Sequence, residues 1–390
     1  MKKRIYLDYN ASAPVLPVAR DAFLAVLETP GNASSVHREG QAQRRAIETA
    51  RRAVAALTGA KSDNVVFTSG ATESAASLLT PEWTFGRAPI AYDRLIIGAT
   101  EHPCVKAGGQ FDASKISIAP GDNNGLIVLA ALEELLSHAN AAGERPLVAI
   151  QLANNETGVI QNINAIAQAV HNAGGFLIAD VAQAAGRVPV DISALGADAL
   201  ILSSHKMGGI KGAGAIIYSG ELLRPKPILI GGGQEKGFRA GTENAAAIAA
   251  FGAVAALVTD RTPIKALRDA FEAGLTSMLP DAIIHGRFVK RLDNTSFFSI
   301  LDVKAETAMI AFDLDGIAVS SGSACSSGKV GRSAVLEAMG YDEAGGAIRI
   351  SFGPHNNADD LDAALAIVAK LDDRRLQAAM SAEKLSLEQL

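Results

Sequence analysis

Four stretches of the chain gather side chains able to do covalent or ionic chemistry. In the first, Leu202-Ser203-Ser204-His205-Lys206 closes an apolar run and is followed by Met207-Gly208-Gly209-Ile210-Lys211-Gly212. A lysine hemmed in by glycines, with hydroxyl and imidazole donors beside it, suits a desolvated amine of lowered pKa that condenses with a carbonyl. The plainer alternative is a surface lysine. The second stretch, Ser320-Ser321-Gly322-Ser323-Ala324-Cys325-Ser326-Ser327-Gly328-Lys329, surrounds one thiol with small residues. Cys325 is therefore a candidate nucleophile, the alternative being a passive loop residue. Third, Asp180 directly follows an apolar run, where an acid either caps the next turn or pairs with a buried cation; taken alone, the cap is favoured. Fourth, Thr68-Ser69-Gly70-Ala71-Thr72-Glu73-Ser74 takes a strand through a glycine turn into a helix, which makes either an anion site of open N–H groups or an ordinary N-cap.

Counting removes other chemistries. Gly322 to Gly328-Lys329 has five residues between its glycines where a P-loop has four, and Val330 stands where a magnesium-holding hydroxyl belongs. Gly209 to Gly214 does not space out as a dinucleotide fingerprint, and the seven histidines show no zinc spacing, so no metal site is expected. Two cysteines make neither a disulfide framework nor a metal cage; Cys104 reads as a small hydrophobe after a proline. With 36 basic against 41 acidic residues, the net charge of -5 gives no field for a nucleic acid partner. The longest uncharged apolar stretch, 245–258, is too short for a membrane span and reads as a buried helix. The start of the chain turns polar at Asp8 before any apolar signal core develops, so a cytoplasmic protein is expected.

The elements that must position these groups follow from pattern. Buried strands are predicted at 65–68, 95–98, 147–152, 176–179, 199–202 and 215–218, alternating with helices at 35–57, 129–142 and 164–173. Arg44, Arg45, Arg51 and Arg52 mark the polar side of the first helix. This alternation predicts an α/β fold, a mostly parallel sheet flanked by helices, with polar residues after the strands forming the site. From about 263 the texture becomes a smaller α+β unit: strands at 296–301 and 347–352, helices at 305–314 and 358–371, and a tail after Arg375 expected to fray. The extended 5–9 segment suits either unit.

In one order along the chain stand Glu101-His102-Pro103, Asn154-Asn155-Glu156-Thr157-Gly158, Asp180 to Gln183, Ser203 to Lys206, Gly231-Gly232-Gly233-Gln234-Glu235, Arg239-Ala240-Gly241-Thr242-Glu243-Asn244, Ser320 to Cys325 and Arg349-Ile350-Ser351. That order resembles the pyridoxal-phosphate-dependent cysteine desulfurases, the NifS/IscS-like branch of the class V aminotransferase family, from about residue 7 to Gly353. The resemblance implies the type I fold of pyridoxal-phosphate enzymes, with a large cofactor-binding domain at 15–260 and a small domain from 1–14 and 261–390 that carries the cysteine loop.

By the same resemblance, Lys206 matches the lysine that bonds to pyridoxal phosphate and moves the substrate's α-proton. Asp180 matches the partner of the ring nitrogen, Gln183 the donor to the ring's phenolic oxygen, and His102 the stacked imidazole that handles a proton. Thr72, Ser203 and His205 match phosphate-binding positions, with Thr242 reaching across a homodimer interface. Asn155 and Arg349 match the holders of the substrate carboxylate. Cys325 then takes sulfur from L-cysteine as a persulfide and passes it to a protein acceptor, as in iron–sulfur cluster biosynthesis. Ala75 stands where the family has asparagine. The alternatives are another class V aminotransferase or lyase, or a non-catalytic sulfur-transfer partner.

Overall fold

The structure, a computed structural model, describes residues 4–257, 261–322, 333–341 and 345–388. The apolar runs of the first two-thirds form one seven-stranded sheet. Its spatial order is Val65–Thr68, Gly214–Tyr218, Ala199–Ser203, Phe176–Asp180, Pro146–Gln151, Arg94–Gly98 and Ile116–Ala119. Only Gly214–Tyr218 runs against its neighbours. Every residue of the 146–151, 176–180, 199–203 and 214–218 strands is buried, which is why they read as unbroken apolar runs. The 116–119 strand was not expected; it is an edge strand, with Ile118 half exposed.

One face of the sheet is covered by the helices Pro17–Leu27, Arg38–Leu57, Leu129–Ala141, Ile163–Asn172 and Ala245–Ala255. The last is apolar all round because Pro17–Leu27 and Arg38–Leu57 both pack on it. At one crossing a Cβ on Gly252 would lie 2.4 Å from Ala50 Cα, so only glycine lets the two backbones approach. The other face carries Ala71–Leu78 and an unforeseen three-stranded sheet of Glu82–Phe85, Ala88–Ala91 and Leu223–Pro225. Trp83 anchors it, with ring centroids 4.7 Å from Phe176 and 5.5 Å from Tyr92.

A second core gathers Phe271, Phe298, Phe312 and Phe352 around an antiparallel sheet ordered Ile283–Ile284, Thr295–Ser299, Ile348–Ser351 and Ser320–Ser321. The N-terminal segment joins this core: Ile5–Tyr6 pairs with Ile317–Ala318, and Leu7 is fully buried.

Two expectations are corrected. Arg51 is not on the polar side of its helix but buried, its guanidinium bidentate to Glu235 at 2.7 Å on both arms. The tail does not fray after Arg375, since the last helix runs Ala358–Glu388, aided by ion pairs from Arg375 to Asp281 and Asp372. No helix among the described residues is long and apolar enough to cross a membrane.

Candidate active site

Because the 65–68, 94–98, 146–151, 176–180 and 199–203 strands are parallel, their carboxyl ends meet at one edge of the sheet, and the segments beyond them enclose a cavity of about 440 Å³. Its wall includes Thr72, His102, Asn155, Asp180, Gln183, Ser203, His205 and Lys206. Eight of the predicted site residues are thus brought together.

Lys206 sits in the tight turn after Ser203. Its Nζ donates to the carbonyl oxygens of Asn10 at 2.7 Å and Ala11 at 3.0 Å. Asp180 ends its strand buried, one oxygen accepting the Ala182 N–H at 2.9 Å, so the capping reading is part of the truth. Burial pushes its carboxyl up to about 6, against the pull of that N–H and of the Lys206 cation. His102 caps the helix Pro103–Lys106, its Nδ1 accepting from the Cys104 N–H at 3.2 Å, which leaves the ring proton for Nε2. Burial, helped by Lys206, pulls its pKa down to about 4, so the ring is neutral near pH 7. His205, bonded to Ser12 Oγ at 3.2 Å, is likewise lowered to about 4.

Cys104 packs partly buried against the core, as a small hydrophobe does. It lines the cavity with its sulfur 3.0 Å from His102 Nδ1. Burial and the nearby Asp180 and Glu101 carboxyls push it up to about 12, so it stays a thiol and is no nucleophile.

Helix Ala71–Leu78 opens on Gly70 with no side-chain cap, so its first N–H groups face the cavity beside Thr72, Ser203 and His205. Those donors form an anion cradle. Glu73 stiffens the turn by accepting from Ser69 N at 2.8 Å and from Arg239 Nε at 2.8 Å.

Two predicted residues lie elsewhere. Thr242 is exposed and off this cavity. Arg349 is only 1% exposed and stands behind Asn155, one arm bonded to the Asn155 carbonyl at 2.9 Å and the other to Asp8 at 2.7 Å. Its Nε is buried with no partner among the described residues. Cys325 lies outside the described residues.

The pattern missed Asn10 and Arg187. Asn10 is fully buried and receives Lys206 Nζ and Gln183 Nε2 on its carbonyl oxygen. Arg187 donates to Asn10 Oδ1 at 2.7 Å and Gln183 Oε1 at 2.5 Å. The Gln183 contact sets the side-chain amide so that its N–H₂ end is the donor. Glu101 accepts the Gln151 N–H at 2.9 Å, and burial pushes its carboxyl well above the usual carboxylate range.

A doubly wound sheet with an amine, a buried carboxylate, a neutral imidazole and an anion cradle in one cavity defines an enzyme that uses a carbonyl-bearing anionic cofactor. Residues 5–364 match the model of the aminotransferase class-V family, and the chain belongs to that family. It is 37% identical over 386 residues to the cysteine desulfurase of Gluconacetobacter diazotrophicus, 94% of each chain, and 35% identical to that of Cereibacter sphaeroides, covering 95% and 96%. The solved NifS-like protein of Rickettsia africae superposes with a TM-score of 0.85 at 34% identity, covering 95% of this chain and all of that one. A structure of SspA in complex with cysteine superposes at 0.73 with 26% identity, covering 91% of this chain and all of that one.

The family's cofactor is pyridoxal phosphate, and the cavity fits it. Lys206 would offer the amine for its aldehyde, Asp180 a carboxyl for its ring nitrogen, the open end of Ala71–Leu78 with Thr72, Ser203 and His205 donors for its phosphate, and Gln183 a fixed donor.

Proposed function

We propose that this protein is a pyridoxal-phosphate-dependent cysteine desulfurase, converting L-cysteine to L-alanine and leaving the sulfur as a persulfide on Cys325. The observation that carries this is the convergence of Lys206, Asp180, His102 and the open helix terminus on one cavity, in a chain related over its length to cysteine desulfurases.

When bound, the cofactor supplies an aldehyde that condenses with amines and a protonated ring that takes up electron density from the substrate's α-carbon. Lys206 removes the α-proton and later returns it, its resting place set by the Asn10 and Ala11 carbonyls. Asp180 holds the ring proton, and the attraction between them keeps its carboxyl ionised. Asn155 and Arg349 hold the substrate carboxylate; Arg349 Nε, which has no partner among the described residues, is the donor left for it. The Cys325 thiolate attacks the substrate sulfur: an S–S bond forms, the C–S bond breaks, and its electron pair stays with carbon, which takes up a proton. By the resemblance rather than by its hydrogen bonds, His102, neutral near pH 7, handles the proton released from sulfur.

The working unit is a homodimer in which Thr242 of a second copy completes the phosphate cradle, a reading supported by its exposure away from its own cavity. The resemblance, rather than the geometry, supports a cytoplasmic enzyme that passes sulfur to a protein acceptor for iron–sulfur cluster biosynthesis. Mass spectrometry after brief exposure to L-cysteine should find one added sulfur, mapped to Cys325. In the Cys325→Ala variant sulfur release should vanish while the cofactor's visible absorbance persists; undiminished release would leave an aminotransferase or another lyase as the reading.

A further inference from the structure

Glu156 is a buried acid for which the chemistry above has no task. It belongs to a stiff turn, in which Asn154 Oδ1 accepts from Glu156 N at 2.9 Å and Thr157 N at 2.8 Å. Its side chain turns away from the cofactor cavity and meets two distant residues. Oε2 accepts from Ser333 Oγ at 2.6 Å. The same oxygen lies against Gly322, where an added Cβ would fall 2.3 Å from Oε2 and 2.8 Å from Ser333 Cβ. Gly322 and Ser333 therefore touch one carboxylate and each other. They flank residues 323–332, the stretch that contains Cys325.

We propose that Glu156 is a positioning residue for sulfur transfer, its carboxylate pinning together the two ends, Gly322 and Ser333, of the stretch that carries Cys325. The inference rests on Cys325 being the sulfur acceptor. The fixed point is set close to the substrate's holders, because the neighbouring Asn155 carbonyl accepts from Arg349 at 2.9 Å. A displacement of about 1 Å at a reacting sulfur costs on the order of a hundredfold in rate, so anchoring the ends of the stretch has kinetic weight. The Ser333 bond length is that of a hydroxyl donating to an ionised carboxylate. Burial pushes Glu156 up to about 7, opposed by Ser333, by Arg349 on the adjacent strand and by Lys106 on the helix beyond the 94–98 strand. The pin is thus strongest above pH 7 and weakens as the carboxyl takes up a proton.

Ser333 also caps the helix Ala334–Ala338, accepting from Leu336 N at 3.1 Å, and this allows the two roles to be separated. Ser333→Asp keeps an acceptor for Leu336 but presents a second carboxylate to Glu156. Ser333→Thr keeps both bonds. In the holoenzyme, single-turnover persulfide formation should be about tenfold to a hundredfold slower in S333D, the worth of a charge-assisted hydrogen bond, and close to wild type in S333T. KM for L-cysteine and the visible absorbance change on adding it should stay within about twofold in both. Glu156→Gln should remove that part of the rise in transfer rate centred near pH 7. Wild-type transfer in S333D, a loss shared equally by KM and the absorbance change, or an unaltered pH profile in E156Q would each overturn the proposal. Continued sulfur release from C325A is a different failure: it removes the acceptor reading on which the proposal stands.

Discussion

Asp180 shows how one buried atom pair couples stability to chemistry. Its carboxyl is raised from an ordinary 3.8 to about 6 because burial outweighs the Ala182 N–H and the Lys206 charge. The native cofactor-free protein therefore holds that proton longer than the unfolded chain does. The stability this confers is complete below pH 4 and is lost as pH rises through 6, an amount of about 3 kcal/mol. Asp180→Asn cannot lose the proton, so the gap between wild type and D180N in urea denaturation should widen from pH 4 to 6 in favour of D180N, whereas its sulfur release should fall at least about a hundredfold. A parallel pair of stability curves would contradict the cause assigned here. Asp180 was legible because it directly follows an apolar run, and Lys206 because it stands between the hydroxyl and imidazole donors that end one and a run of glycines. Asn10 and Arg187 were not, because their roles arise from contacts between segments more than a hundred residues apart, which no local spacing records.

Among elements, the helix Arg38–Leu57 does more than cover the sheet. Arg51 reaches inward to Glu235, whose side chain is 1% exposed and also accepts from Phe67 N at 2.9 Å. The 231–243 segment is thereby tied to the first strand, while its Arg239 is tied to Glu73 beside the anion cradle. Arg51→Met leaves the Glu235 charge buried and unpaired, and should cost about 3–5 kcal/mol in denaturant unfolding, with much of it recovered by adding Glu235→Gln. Equal stability of the two variants would show that the pair is not coupled. The helix itself was read from its 3.6-residue period, yet that period assigned Arg51 to the solvent side. An arginine with a remote carboxylate partner looks, in sequence, like any solvated one. The strands at 82–85 and 88–91 escaped for a related reason: they are short, largely exposed apart from Trp83, and lack the apolar runs of the central sheet.

At the scale of the whole molecule, two cores divide the labour. Lys206 and Asp180 belong with the seven-stranded sheet, whereas Arg349 is on the second core's sheet, Gly322 follows its Ser320–Ser321 strand, and Ser333 caps a helix whose Leu336 packs on Phe297 of that sheet. Phe271→Ala, which removes a fully buried ring from the second core, should cost about 3–5 kcal/mol there. On heating, this variant should lose sulfur release before its cofactor absorbance bleaches; simultaneous loss would mean that the two cores melt as one. The N-terminal segment spans that divide. Asn10 holds Lys206 on one side and donates to Thr295 Oγ1 at 2.9 Å on the other, while Ile5–Tyr6 pairs with Ile317–Ala318. Residues 5–10 therefore find their seat only once residues 295–318 have been made. A nascent chain that stops short of residue 295 lacks the docked Asn10 carbonyl against which Lys206 rests.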